Sequence, residues 1–253
     1  MRDPRRILIT GASSGIGEAL ALDYAAPGVS LLLTGRDSAR LADVAARCRA
    51  KGAEAEGAVL DVTERERLAE WIMARDAAGP IDLVIANAGI SAGTGDGTES
   101  EEQARRIFQV NVDGVLNTLH PLVPAMRARR HGQLAIVSSV AGFRGFPGAP
   151  AYCGSKAAVR VYGEALRGDL APFGIGVSVI CPGFVRSRMT DVNKFRMPLL
   201  MDADRAAGII RRGLAANRAR IAFPFPTYAA TWLLGLLPPF LTDPLLRLTP
   251  RKE

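Results

Sequence analysis

The sequence predicts an α/β fold, a doubly wound parallel sheet with helices on both faces. Two patterns predict it. Short apolar runs alternate along the chain with longer amphipathic stretches, the order that builds strand–helix–strand units. The runs are apolar throughout, as in Ile7-Leu8-Ile9 and Leu31-Leu32-Leu33, which suits strands buried on both faces. A chain of 253 residues, 48% of them hydrophobic, fits one large domain with a full core.

The elements follow in order. Strands are expected over residues 6–10, 30–34, 56–60, 81–86, 133–138, 176–181 and 220–223. Helices are expected over 15–25, 38–51, 64–77, 101–129, 151–171 and 202–217, the fourth being one long helix. Such a sheet binds ligands at the carboxyl ends of its strands, so the residues that close each strand matter most.

The first strand closes in Thr10-Gly11-Ala12-Ser13-Ser14-Gly15-Ile16-Gly17, and a helix starts at once. Three glycines there allow a tight turn, close approach of backbone to a phosphate and close helix packing. The helix amides and dipole then suit a pyrophosphate. A glycine-rich turn is often only a turn, but its place after the first strand favours a dinucleotide and a Rossmann-type sheet.

The second strand closes in Thr34-Gly35-Arg36-Asp37. An NAD site usually carries an acid here for the ribose 2′-hydroxyl. Gly35 lacks one, and Arg36 can pair with a 2′-phosphate, so NADP is expected over NAD. The competing reading is a solvated Arg36 paired with Asp37. Asp61-Val62 closes the third strand and can meet an adenine edge. Asn87-Ala88-Gly89 closes the fourth, where small residues suit a nicotinamide ribose. Both segments also read as caps or turns.

Ser138-Ser139 closes the fifth strand, and Tyr152 and Lys156 follow on a helix. Positions i and i+4 share a helix face. A cation beside a phenol favours the phenolate, which suits a general acid or base. Ser139 can hydrogen-bond a carbonyl oxygen. Asn111 is a poor helix-interior residue; it is read as a kink, a water holder or a satisfied polar contact. His120 and His131 have no partner motif and are read as structural.

Taken together, Thr10-Gly11-x-x-x-Gly15-x-Gly17, Asp61, Asn87-Ala88-Gly89, Asn111, Ser139, Tyr152-x-x-x-Lys156 and Pro182-Gly183 resemble the short-chain dehydrogenase/reductase superfamily in order and spacing. The resemblance covers residues 6–189. Ala86 stands where the family often has a second Asn, and Ser187 where many members have Thr. The resemblance implies that Tyr152 is the general acid in reduction and the base in oxidation. Lys156 would lower its pKa and hold the nicotinamide ribose, Ser139 would polarise the carbonyl, and Asn111 would anchor a water linking Lys156 to solvent. It also implies cofactor contacts from Ser13, Ser14, Ile16, Val62, Pro182, Gly183 and Val185. A homodimer or homotetramer formed through the two long helices is expected as well.

Residues 1–223 are expected to form the catalytic domain, with a substrate lid near 184–200, and 224–253 an apolar extension. That extension holds Trp232, Leu233, Leu234, Leu236, Leu237, Phe240 and Leu241, broken by Pro238-Pro239. It is too short and too broken to span a bilayer. Three readings stay open: packing on a neighbouring subunit or the core, peripheral contact with a membrane interface, or closure of a greasy pocket. The last tilts the expected substrate towards a hydrophobic one.

Other classes fit less well. Net charge is +7, yet aromatics are 6% and the arginines are scattered, so no nucleic-acid platform is expected. Cys48, Cys153 and Cys181 give no metal-ligand spacing and suit a reduced, cytoplasmic setting. A cofactor-binding regulator or scaffold without turnover is the rival from another class.

Overall fold

A computed structural model of the chain describes residues 3–94, 97–193 and 197–246. Seven strands form one sheet: β1 (Arg6–Thr10), β2 (Ser30–Gly35), β3 (Glu54–Val59), β4 (Leu83–Ala86), β5 (Gly132–Val137), β6 (Ile175–Pro182) and β7 (Arg220–Phe223). Their order is β3-β2-β1-β4-β5-β6-β7, and every pairing is parallel. The order reverses between β1 and β4, which is where such a sheet opens a crevice.

Alternation along β1 divides the core in two. Ile7 and Ile9 point to one face, with Leu31, Leu33, Leu20 and Ile210. Leu8 points to the other, with Leu32, Val84, Ile136 and Val159. Helices α1 (Gly15–Tyr24), α2 (Ser38–Ala50) and α9 (Ala203–Ala215) cover the first face. Helices α3 (Arg65–Ala78), α4 (Glu101–Phe108), α5 (Gly114–Leu119), α6 (Val123–Arg129) and α7 (Pro150–Leu170) lie towards the second. The strands are apolar in sequence because both faces are covered. The edge strand β3 is the exception, with Glu54, Glu56 and Val59 exposed.

The single long helix expected over 101–129 is not found. Residues Gln109–Asp113 form a π-helical turn centred on Asn111, and α5 ends before Pro121. Proline has no amide hydrogen to continue the ladder, and α6 starts afresh beyond it. The other expected elements fall within a few residues of those observed. The lid segment forms a short helix α8 (Arg188–Asp191) and rejoins the body through a parallel bridge between Val185 and Met201; residues 194–196 of it lie outside the described residues. The chain after β7 forms α10 (Phe225–Leu236) and α11 (Pro239–Leu246), and residues 247–253 lie outside the described residues. Among the described residues no helix is long and apolar enough to cross a membrane.

Helix α1 can approach the end of β1 only because Gly17 lacks a side chain. A Cβ there would run into the Gly11 carbonyl oxygen and the Asn87 amide. Backbone cannot yield as a flexible side chain does, so we expect Gly17→Ala to cost roughly 1–3 kcal/mol. Thermal melting checks this, and an unchanged midpoint would contradict the packing described.

Candidate active site

The carboxyl ends of β1 to β6 line the crevice. After β1 the chain turns through Gly11 and Gly15, with φ of 66° and 59°, in the left-handed region that favours glycine. Ser14 occupies the N-cap of α1 but makes no side-chain cap. The first amides of α1 have no acceptors within the helix, so they face the crevice as an anion cradle. Asn87 ties this turn to the end of β4. Its Nδ2 donates to Thr10 O at 3.0 Å and Gly11 O at 3.1 Å, and its backbone N–H donates to Thr10 Oγ1 at 3.1 Å. A Cβ on Gly11 would lie 2.8 Å from the Ala88 Cα. These contacts hold the two walls of the crevice at backbone distance.

The segment after β6 meets the same turn. Ser187 caps α8, and a Cβ on Gly15 would lie 3.0 Å from the Ser187 Cβ. Behind it, Gly183 N–H donates to Phe223 O at 2.7 Å. Pro182, Gly183 and Val185 therefore run from the end of β6 towards the glycine turn.

At the far end of the crevice, Gly35 lies against Ser13: a Cβ there would be 3.1 Å from Ser13 Oγ. Serine thus crowds the place where an acid would stand. Arg36 does not pair with Asp37, which caps α2 through Arg40 N–H at 3.0 Å and pairs with the Arg40 guanidinium. Arg36 instead reaches Asp61 at 3.8 Å and stays 60% exposed. Arg106 of α4 meets the same carboxylate oxygen at 3.0 Å. The other oxygen accepts from Thr63 N–H and Oγ1. Burial alone would raise the Asp61 carboxyl; the Thr63 hydrogen bonds and the Arg106 guanidinium hold it below its usual value.

The candidate reacting groups stand at the end of β5. Lys156 is buried, and its Nζ crosses from α7 to donate to Val137 O at 2.9 Å. Its Nζ lies 5.9 Å from the centroid of the Tyr152 ring. A Cβ on Gly89 would be 3.2 Å from both Lys156 Nζ and Asn111 Oδ1, so glycine at the end of β4 leaves room for the amine. Ser139 caps the turn Val140–Gly142 through Ala141 N–H at 3.1 Å, and its hydroxyl contacts the Tyr152 phenol. Asn87, Gly89, Asn111, Ser139, Tyr152 and Lys156 are thus brought to one end of the crevice, with Gly11, Gly15 and Gly17 beside them and Arg36 and Asp61 at the other end.

Asn111 is fully engaged. Its Oδ1 accepts from Ile90 N–H at 2.8 Å, and its Nδ2 donates to Ile90 O at 2.9 Å and Ser155 Oγ at 3.0 Å. The satisfied-contact reading therefore describes its side chain, and the π turn is the kink. Deleting that side chain would strand the Ile90 groups at about 1–3 kcal/mol each. Ser138 faces away from the crevice and donates to Lys156 O at 2.7 Å. His120 meets the Tyr162 hydroxyl at 2.9 Å and His131 approaches Asp82 at 3.7 Å, both as structural contacts.

Sequence reasoning missed several supporting residues. Thr10 Oγ1 accepts from two backbone amides of the β4 turn. Ser155 joins Asn111 to the Tyr152 carbonyl, to which it donates at 2.8 Å. Glu99 accepts from Ala151 N–H at 2.9 Å and so caps α7 from another loop. The N-cap residue, Ala149, has no side chain able to do so. Thr10 and Ser155 lay inside the quoted motifs and were legible as hydroxyls at strand and helix ends; Glu99 and Arg106 carried no local signal.

Burial works against one expectation. Lys156 was expected to lower the Tyr152 phenol. Here burial pushes the phenol up, and only the Ser139 contact draws it back. Burial likewise pulls the Lys156 ammonium down to about 8, which still leaves the amine mostly protonated at neutral pH.

Comparison with known proteins agrees with this geometry. A family model described as short chain dehydrogenase matches residues 5–196. An oxidoreductase of Myxococcus xanthus is 40% identical over 244 residues, 96% of each chain. One from Mycobacterium tuberculosis is 36% identical over 245 residues, 94% of this chain and 96% of its own. Among solved structures, a short-chain dehydrogenase from Sphingobium yanoikuyae in complex with NADPH is 26% identical with a TM-score of 0.80, covering 97% of this chain and 96% of its own. A short chain dehydrogenase/reductase from Burkholderia phymatum in complex with NAD is 28% identical with a TM-score of 0.83, covering 96% and 95%.

Lysine burial sets a pH dependence. With a folded value near 8 against 10.5, the folded state binds fewer protons than the unfolded state between those values. The lysine's contribution to stability is therefore least favourable below pH 8 and improves as pH rises through that window. We expect the melting midpoint of the wild type, relative to Lys156→Met, to rise between pH 7.5 and pH 10. A flat or falling difference would contradict a desolvated amine.

Proposed function

This chain belongs to the short-chain dehydrogenase family, and on that premise we propose that it interconverts a carbonyl and a secondary alcohol, with NADP as the preferred hydride carrier. That it is a nicotinamide-dependent oxidoreductase follows from the family. The observation that carries the finer reading is the convergence of Lys156, Tyr152 and Ser139 at the end of β5.

The residues fit a dinucleotide. The uncapped start of α1 and the left-handed Gly11 and Gly15 form a cradle for a pyrophosphate. Bound there, the cofactor supplies a hydride to, or takes one from, the substrate carbon. The chain's own groups do the rest. Ser139 Oγ donates to the carbonyl oxygen and aligns it with the Tyr152 hydroxyl. In reduction Tyr152 Oη gives its proton to that oxygen, and in oxidation it takes the proton back. Lys156 stands near the ring, where its ammonium stabilises the phenolate formed by proton donation. Asn111 serves through position, fixing Ile90 beside Gly89 and Ser155 beside Tyr152.

NADP preference is supported by the chemistry at the end of β2. Ser13 crowds the place an acid would need, and Arg36 offers an exposed guanidinium that suits a 2′-phosphate. A hydrophobic substrate is our reading of the apolar extension after β7, with Phe225, Trp232 and Phe240 exposed. We also expect a homodimer or homotetramer through α4, α5 and α7; exposed Phe108 and Val161 support it.

Two variants test this. Tyr152→Phe should keep NADPH binding and lose roughly 10²–10⁴-fold in turnover on a carbonyl panel followed at the nicotinamide absorbance. Retained turnover would overturn the assignment. Arg36→Ala should raise the KM for NADPH by about tenfold or more, the worth of a charge-assisted hydrogen bond, and leave that for NADH nearly unchanged. Equal changes with both cofactors would remove Arg36 from the choice.

A further inference from the structure

The last two helices carry their apolar side chains outward. Phe225 is 73% and Phe240 74% exposed, and Trp232, Leu233, Leu236, Leu237 and Leu241 are also exposed. Positions 225, 232, 233 and 236 share one face of α10 in spacing, and a surface helix normally turns that face to the core. Here the inward face is the more polar one. Thr231 and Thr242 are buried. Tyr228 accepts from Arg220 at 3.1 Å and packs edge-on against Phe143. Arg144 donates to Thr242 Oγ1 at 2.6 Å and to Asp243 at 3.1 Å. A Cβ on Gly235 would strike the Phe143 carbonyl. The face is thus exposed while its backs are anchored.

Its surroundings in sequence say what covers it. No Asp, Glu, Lys or Arg stands between Arg220 and Asp243. The seven residues after Leu246 carry Arg247, Arg251 and Lys252 against Glu253. Pairing with a second copy would bring two such cationic ends to one apolar contact. An anionic lipid surface complements both features, taking the apolar side chains into the acyl boundary and the cations at headgroup level, with Trp232 suited to that interface.

We infer that α10 and α11 form a docking face for an anionic bilayer surface, which the protein contacts without spanning. The site geometry adds a consequence. The same helices hold Phe143 and Arg144, which follow the turn capped by Ser139. α11 also walls a cleft of about 690 Å³ lined by Phe143, Phe146, Cys153 and Leu246. α10 packs on the turn capped by Ser139, so docking sets that end of the site beside the lipid. The substrate class that follows is an amphiphile drawn from the bilayer, and this part rests on the oxidoreductase reading above.

Vesicle flotation of the full chain, run without nucleotide, tests the docking. We expect flotation with vesicles of phosphatidylcholine and phosphatidylglycerol, and less with phosphatidylcholine alone. The double variant Trp232→Ser, Phe240→Ser changes only exposed side chains and should lower the bound fraction roughly tenfold or more. Its NADPH turnover on a water-soluble carbonyl should match the wild type. Equal flotation of variant and wild type would overturn the proposal. So would an unbound wild type whose dimer, by light scattering, dissociates in the variant, because the face would then belong to a second copy. Loss of turnover on every soluble carbonyl in both proteins would refute the oxidoreductase reading while leaving the flotation result to stand on its own.

Discussion

The whole site depends on keeping one ammonium out of water. Lys156 is held by a single backbone acceptor, Val137 O, at a depth where burial disfavours its charge. Its surroundings are arranged around that placement. Gly89 leaves the amine its volume. Ser138 holds the Lys156 carbonyl, and Gly142 allows the turn after β5 to press on the same helix backbone. Asn111 and Ser155 pin the Ile90 loop and the Tyr152 carbonyl on the other side. A buried amine is poor for stability and useful for chemistry, because a nearby negative charge then changes its energy strongly.

The crevice has a second, purely steric basis. Glycines at 11 and 17 and the Asn87 amide let β1, α1 and the end of β4 meet at backbone contact. The glycine turn and the end of β4 are consequently parts of one closely packed junction. The other end of the crevice is held by charge, with Asp61 shared between Arg36 and Arg106. Two guanidiniums against one carboxylate leave that end cationic, as an anionic ligand group requires.

Much of this was legible in the sequence, for a physical reason. Strands covered on both faces must be apolar throughout, so the inner strands were found within a few residues. The glycine turn, Asp61, Asn87, Ser139, Tyr152 and Lys156 all close strands or share a helix face, so local spacing located them. What was not legible depends on packing. The helix expected over 101–129 is interrupted because Asn111 takes its partners from a loop and a neighbouring helix and because Pro121 stops the ladder. Glu99 and Arg106 meet partners more than forty residues away, and nothing in their own surroundings marks them. The direction of the Tyr152 shift needed a depth of burial that spacing does not reveal.

The most direct measurement is the titration of Lys156 itself. The chain has four lysines, Lys51, Lys156, Lys194 and Lys252, so isotope-edited NMR of the side-chain amines can resolve each, with Lys156→Met assigning the signal. The account predicts one lysine titrating near 8, well apart from the ordinary 10.5, and lost in that variant. Four lysines titrating together near 10.5 would contradict it, because the amine would then be in water and could not act as the buried charge beside Tyr152.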